Sequence, residues 1–188
     1  PPVGISLRWF AKFFSSAEFM NALWLSLWIA AVVLMLSIVI GAACALALAR
    51  GNLPSRGFLT AFFMSPLMLP AILTGLALFQ AYLLAGIGRP VWGLILAHTL
   101  VAVPYVIRTT LAVLHNFDRR IEEAAAVLGA SPVRVFFEVT LPLIRPGVFA
   151  GGVFAFIVSF DQFPVSLFLV VPKAETLPVV LFNYLKFD

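Results

Sequence analysis

The chain has 188 residues, of which 63% are hydrophobic and 11% charged, with a formal net charge of +4 and a mean hydropathy of +1.10. A soluble domain has roughly 45–50% apolar and about 25% charged residues, so this composition predicts a membrane protein in contact with a lipid bilayer. The single Cys44 excludes an internal disulfide, and one thiol with two histidines forms no recognisable zinc or iron–sulfur site. The positive charges are scattered and form no Lys/Arg-rich run, which excludes nucleic acid as a partner.

Long stretches without charged residues predict four membrane-spanning helices. No charge occurs between Glu18 and Arg50 or between Arg56 and Arg89, and each interval exceeds the ~20 residues that cross the ~30 Å hydrocarbon core. Backbone polar groups inside a bilayer must be satisfied within their own segment, so the spans are helices and the fold class is an all-α, polytopic transmembrane bundle. The predicted spans are residues 21–49, 58–85, 91–114 and 142–163.

Residues 118–141, between the third and fourth predicted spans, carry the pattern of two short helices joined by a turn. Asp118 is a candidate cap for the first helix, and Gly129 suits the left-handed position that ends it. Ser131 followed by Pro132 predicts a second helix, which runs to a break at Pro142 and there enters the fourth span. The apolar stripe of the first helix, at i, i+3, i+4 and i+7, is Ile121, Ala124, Ala125 and Leu128.

Two interpretations fit this segment. As a helix-turn-helix elbow projecting from the membrane, it offers small alanines that let another surface come close. The charged residues available for contacts at the rim of such an interface are Arg119, Arg120, Glu122, Glu123 and Arg134. As an ordinary interfacial amphipathic helix, it needs only an apolar face and basic flanks.

Three polar positions near the end of the fourth predicted span, Ser159, Asp161 and Gln162, are candidates for a substrate pathway. A charge within a span is costly and by default faces a polar interior, although Asp161 could also cap a helix or meet the outer headgroups. His98 either binds substrate or forms hydrogen bonds between helices, and the second role is favoured. Three prolines interrupt helical hydrogen bonding in the predicted spans and indicate bends or packing kinks: Pro66, Pro70 and Pro104.

The spacing inside the elbow resembles the EAA motif of the inner-membrane permease subunits of binding-protein-dependent ABC importers. That motif reads E-A-A, three residues, G, nine residues, I-x-L-P, and Val139 stands in place of the isoleucine. A chance match at six fixed positions is on the order of one in a million starts at usual residue frequencies. The matching residues, which the resemblance makes candidates for coupling to an ATPase, are Glu123, Ala124, Ala125, Gly129, Leu141 and Pro142.

The resemblance covers nearly the whole chain and implies a type I (MetI-like) permease fold in the bacterial inner membrane. It implies that residues 118–141 are cytoplasmic and that residues 1–20 and 164–188 are periplasmic, an orientation that the nearly equal division of Lys and Arg leaves open. Family members have six spans, so one further span is expected at each end. The implied partners are a cytoplasmic ABC ATPase dimer, a sister permease or second copy of this chain, and a periplasmic solute-binding protein. ATP and Mg are expected on the ATPase, because this chain has no G-x-x-x-x-G-K-[ST] motif and is not expected to be an enzyme.

Shorter matches resemble the spermidine/putrescine branch of these permeases. The matching segments are MSPLMLPAI at 64–72, FDRRIEEAAAVLGAS at 117–131, SFDQF at 159–163 and ETLPVVLFNYLK at 175–186. Gln162 stands where a second acid is expected in polyamine permeases, and neighbouring branches carry ferric iron, thiamine and amino-acid-derived solutes. The resemblance therefore implies a small solute, polyamine-like or related. The alternative is a secondary transporter or channel that does not use ATP, for which the expected internal repeat is not evident.

Overall fold

The computed structural model describes residues 7–170 and 174–187, and this part of the chain forms ten α-helices and no strand. The helices are α1 Arg8–Ser15, α2 Ala17–Arg50, α3 Arg56–Met64, α4 Ala71–Leu84, α5 Val91–Asn116, α6 Arg120–Val127, α7 Pro132–Val135, α8 Leu141–Phe160, α9 Phe163–Leu169 and α10 Leu177–Phe187. A 3₁₀-helix at Ser65–Leu67 follows α3, and a π-helix at Phe136–Thr140 joins α7 to α8. The all-α prediction is confirmed. Residues 1–6, 171–173 and 188, which belong to the predicted periplasmic segments, lie outside the described residues.

Three helical stretches among the described residues are long and apolar enough to cross a membrane: α2, α5 and the continuous helix Pro132–Phe160. The predicted second span, 58–85, is not one straight helix. It is a bent pair, in which Arg56–Leu67 and Ala71–Leu84 meet at 99°. Counting the bent pair as one span gives four, in the predicted chain order.

Prolines account for the bend in the second predicted span. Pro66 lies in the 3₁₀-helix, and Pro70 immediately precedes α4, where its missing N–H and its ring prevent a regular α-helix from continuing. Pro104 has a different outcome, because it is buried within α5 and that helix continues from Val91 to Asn116. The prediction that proline indicates a bend is therefore confirmed at Pro66 and Pro70, and Pro104 is a packed position inside a continuous helix.

The core lies where α2, α5 and α8 pack together, with α5 the most enclosed of the three. Val106 of α5 is fully buried between two glycines, Gly41 of α2 and Gly151 of α8. A Cβ at Gly41 would lie 2.6 Å from the Val106 Cβ, and a Cβ at Gly151 would lie 2.6 Å from the Val106 Cα. Both distances are far below van der Waals contact, so the absence of a side chain at each glycine sets how closely the three helices approach.

The chain does not leave the helix bundle after the fourth predicted span. α8 ends at Phe160, and α9 then packs against α4 and α5 with Val165, Ser166 and Leu169 buried. Ser166 reaches His98, which lies about two turns into α5, ~10 Å from its first residue by helical rise. This short helix thus packs inside the bundle beside His98, and the periplasmic location of residues 164–188 stays a prediction.

Candidate functional site

The first helix of the predicted elbow is capped at both ends by local hydrogen bonds. The Asp118 carboxylate accepts a hydrogen bond from the backbone N–H of Arg120 at 3.0 Å. After α6, Gly129 has a φ of 90°, and the Ala130 N–H donates to the Ala125 carbonyl at 3.1 Å. This is the Schellman arrangement that ends helices with a left-handed glycine. Asp118 was predicted to cap the start of this helix and Gly129 to end it, and both predictions are confirmed.

The second helix of the elbow begins where the sequence predicts. The Ser131 hydroxyl accepts a hydrogen bond from the Arg134 backbone N–H at 3.3 Å, and Pro132 occupies the first helical turn, where its missing N–H costs nothing. The turn between the two helices is only four residues long, from Leu128 to Ser131. Such a short connection determines the relative orientation of α6 and α7.

The elbow then enters α8 without the break predicted at Pro142. In a regular α-helix, a residue at this position would donate its N–H to the Glu138 carbonyl, which proline cannot do. The π-helix resolves this conflict, because the Leu141 N–H bonds to the Phe136 carbonyl five residues back, in a wider turn. The predicted end of the helix at Pro142 is wrong, whereas the predicted direct connection from the elbow to the fourth span is confirmed by one helix over Pro132–Phe160.

One face of the elbow is exposed, because no other part of the described chain covers it. Val127 and Leu128 are 87% and 88% exposed. Glu123 pairs with Arg119 at 3.3 Å, with both side chains more than half exposed. No residue of α6 is fully buried, and of the predicted stripe Ile121 and Ala124 are exposed whereas Ala125 is half-buried. We call the exposed set Arg119, Glu123, Ala124, Val127 and Leu128 the coupling surface, after the role that the EAA resemblance implies for this segment.

Glu122 has the opposite orientation from its neighbour Glu123. One carboxylate oxygen lies 3.0 Å from Nε of Arg50, the last residue of α2, and the other accepts a hydrogen bond from the Thr140 hydroxyl at 2.7 Å. The Glu122 and Arg50 side chains are only 15% and 22% exposed. The expectation that Glu122 is a charged rim residue is therefore wrong. Local periodicity carried no signal for this contact, because Arg50 belongs to a different span.

A cleft of about 490 Å³ separates the elbow from the end of α2. Glu122, Arg50 and Thr140 line it together with Glu123 and Phe136. The Arg50 guanidinium also lies 5.4 Å from the centre of the Phe117 ring, within cation–π range. The elbow is therefore attached to the bundle at three places, covalently to α5 and α8 at its two ends and non-covalently to α2 through Arg50.

The three candidate pathway residues lie in different environments. Ser159 is buried and its hydroxyl is 3.0 Å from Nδ1 of His98, while Nε2 of His98 is 3.0 Å from the Ser166 hydroxyl. Gln162 is also buried, and Asp161 is exposed in the turn between α8 and α9. The prediction that His98 forms hydrogen bonds between helices is confirmed. Of the three candidates, only Asp161 presents its side chain to the surface of this chain.

The elbow and the α8–α9 break lie at opposite ends of one helix. α8 runs from Leu141 to Phe160, which corresponds to ~30 Å at 1.5 Å per residue. The described residues contain no group of three or more His, Cys, Asp or Glu side chains that could hold a metal ion. The arrangement is thus an exposed surface with apolar and charged side chains at one end and a helix break with a carboxylate at the other.

Comparison with known proteins identifies the family. Residues 37–184 match the family described as the binding-protein-dependent transport system inner membrane component. The chain belongs to this family. It is a transport component of the inner membrane, and its relatives are permeases rather than enzymes.

Two relatives of this inner membrane component show the branch of the family. It is 35% identical over 190 residues to the putrescine transport system permease protein PotI of Escherichia coli K12, covering 96% of this chain and 66% of PotI. It is 32% identical over 183 residues to the spermidine/putrescine transport system permease protein PotC of Haemophilus influenzae, covering 97% of this chain and 71% of PotC. The chain therefore spans about two thirds of the length of these relatives. The polyamine branch suggested by the sequence is supported.

A solved structure gives independent support for the fold. The chain superposes on a chain from the crystal structure of an amino acid ABC transporter with histidines, with a TM-score of 0.70. The match covers 98% of this chain and 85% of the other at 16% identity. The fold is therefore that of an ABC transporter membrane component, as the sequence predicted.

Proposed function

We propose that this chain is the permease subunit of an ATP-driven importer and forms part of the path for a small, positively charged solute. In this proposal a periplasmic solute-binding protein delivers the solute, and a separate cytoplasmic ABC ATPase dimer binds ATP and Mg. The path lies between this chain and a sister permease or a second copy. The observation that carries the proposal is the single helix that runs from the elbow through α8 to the turn containing Asp161.

The coupling surface is suited to binding another protein. Val127 and Leu128 expose large apolar side chains at the tip of a short rigid turn, and burying each of them at an interface is worth roughly 1.5–3 kcal/mol. Ala124 and the Schellman turn at Gly129 keep the backbone accessible beside them, while Glu123 and Arg119 supply charges at the rim. This surface fits a groove on an ATPase that receives two apolar side chains flanked by an acid and a base.

Transmission from the elbow to the solute path follows from helix continuity. Movement of an element is carried through rigid, packed neighbours. Here α7, the π-helix and α8 form one helix, and α8 packs closely on α5 through Gly147 and Gly151. A displacement of the elbow therefore moves Ser159 and Asp161 at the far end of α8.

The nature of the solute is supported by the named relatives and by one charge. PotI and PotC are named as putrescine and spermidine/putrescine permeases, and polyamines are cations. Asp161 places an exposed carboxylate at the break between α8 and α9. Carboxylates at such helix breaks are typical of solute and ion sites in transporters. Asp161 is proposed to contact the cationic solute.

Charge reversal at two matched glutamates tests the proposed coupling. Glu123 and Glu138 are both exposed by about 60%, and each pairs with an arginine four residues earlier, Arg119 and Arg134. Such exposed pairs contribute only about 0.2–1 kcal/mol to folding. Glu123→Lys and Glu138→Lys would be compared in the full-length permease, reconstituted in proteoliposomes with its ATPase and binding protein.

We expect Glu123→Lys to abolish co-purification of the ATPase and ATP-driven uptake of putrescine. Glu138→Lys, which lies at the membrane end of the elbow, should retain both. Equal loss in the two variants would show a general effect of charge and would contradict the assignment of the coupling surface. Uptake by the wild-type protein without ATP or the ATPase would overturn the importer itself and favour a secondary transporter or channel.

A further inference from the structure

Three separate elements meet at the Glu122 carboxylate. Glu122 belongs to α6, Arg50 is the last residue of α2, and Thr140 is the last residue of the π-helix. The Arg50–Glu122 ion pair measures 3.0 Å and the Thr140–Glu122 hydrogen bond 2.7 Å. Thr140 is buried, with 4% of its surface exposed. The other two ion pairs of the elbow, Arg119–Glu123 and Arg134–Glu138, each join residues four positions apart.

The environment of the pair differs from that of the other two ion pairs of the elbow. Arg119–Glu123 and Arg134–Glu138 are intrahelical i,i+4 pairs that solvent screens. Arg50 and Glu122 are largely shielded from solvent, and the Phe117 ring covers the guanidinium. A lower local dielectric strengthens attraction between the charges, and removal of one partner leaves the other charge without compensation.

We propose that Glu122 is a positioning residue that ties the elbow to the end of α2, so that movement imposed on the elbow reaches α2 as well as α8. This inference rests on the proposed function, in which an ATPase moves the elbow. Without the tie, the elbow is attached to the bundle only by its two chain connections, residues 117–119 to α5 and the π-helix to α8. Since α2 and α8 both pack against α5 around Val106, moving α8 alone would disturb that packing, whereas moving the three helices together keeps it.

The π-helix explains why an attachment beyond the two chain connections matters. A π-turn has irregular hydrogen bonding and is a place where helices bend and functional sites occur. It lies between the elbow and α8. Thr140, at the end of this turn, donates to Glu122, so the same carboxylate braces the π-turn and holds Arg50. The geometry therefore gives Glu122 control over whether the elbow and the spans move as one body.

The test compares Glu122→Gln with Glu138→Gln, a matched loss of charge at an exposed pair. Both variants are reconstituted as full-length permease with the ATPase and binding protein, using radiolabelled putrescine as the probe. For Glu122→Gln we expect the ATPase to remain bound and active while putrescine imported per ATP hydrolysed falls about 10-fold. Glu138→Gln should retain the wild-type ratio. An unchanged ratio in Glu122→Gln would overturn the proposal.

A second measurement covers the case in which Glu122→Gln does not fold. Arg50→Cys and Glu122→Cys are combined in a Cys44→Ala background, and a short thiol-specific crosslinker joins the two positions. If α2 and α6 move together, the crosslink forms equally with and without a bound ATP analogue, and the crosslinked protein regains import. A crosslink that forms in only one nucleotide state would refute the tie. Wild-type uptake that does not require ATP would instead refute the proposed function, and the crosslink yields would still decide whether the two helices stay together.

Discussion

Gly151→Ala is a sharp test of how the three central helices pack. Gly151 of α8 faces Val106 and Thr109 of α5. An added Cβ would lie 2.6 Å from the Val106 Cα and in even closer conflict with the Thr109 hydroxyl oxygen. The Val106 Cα is backbone and cannot rotate away, so α8 must move away from α5.

The size of the effect follows from the required displacement. To lengthen the 2.6 Å distance between the added Cβ and the Val106 Cα to an ordinary van der Waals contact, α8 must move by about 1 Å. A gap of that size removes a quarter to a half of the dispersion energy of the neighbouring contacts. Overpacking of this kind costs about 1–3 kcal/mol. A rigid shift would also lengthen the 3.0 Å contact between His98 and Ser159 beyond hydrogen-bond range. We therefore expect a loss of about 3 kcal/mol in the free energy of unfolding.

Thermal unfolding of the full-length protein in detergent, followed by scanning fluorimetry, measures this loss. At ~2–4 °C per kcal/mol, Gly151→Ala should lower the Tm by roughly 6–12 °C. Gly57→Ala is the control, because Gly57 is an exposed residue of α3 and an added Cβ there meets nothing within 4 Å. Its Tm should be unchanged or slightly higher, since alanine favours a helix over glycine. Equal Tm values for the two variants would refute the packing argument.

Three further predictions concern single positions. His98→Leu leaves the buried Ser159 and Ser166 hydroxyls without their partner and should cost about 1–3 kcal/mol in a thermal-unfolding assay, with recovery when both serines are also changed to alanine; no recovery would contradict the pairing. Gly129→Ala places a side chain at a φ of 90° and should weaken ATPase binding about 10-fold, whereas Gly129→Asn should weaken it less; equal affinities would show that the turn is not needed. Asp161→Asn should raise the KM for putrescine about 10-fold and Asp161→Glu should not; a KM independent of this charge would remove Asp161 from the solute path.

Local features of this protein could be predicted from the sequence because each depends on residues close together in the chain. The caps at Asp118 and Ser131 and the left-handed turn at Gly129 each involve partners within a few residues. Hydropathy over 20 or more residues likewise predicted the long helices, because the bilayer requires long apolar segments. The EAA spacing identified the elbow for the same reason, since all its residues lie within one short segment.

Tertiary structure decided what depends on partners distant in the chain. Glu122 and Glu123 are identical neighbours in one acidic turn, yet the ~100° rotation between successive helical residues turns one toward Arg50 and the other toward solvent. The burial of α9 depends on His98 of α5 and on the close approach of α4, neither of which the apolar pattern of residues 163–169 reveals. The π-turn before Pro142 likewise keeps a helix continuous where a proline alone predicts its end. The sequence by itself thus determined the helices, the elbow and the family. The packing of distant segments determined which charged and polar side chains face inward and which remain exposed to a partner or solute.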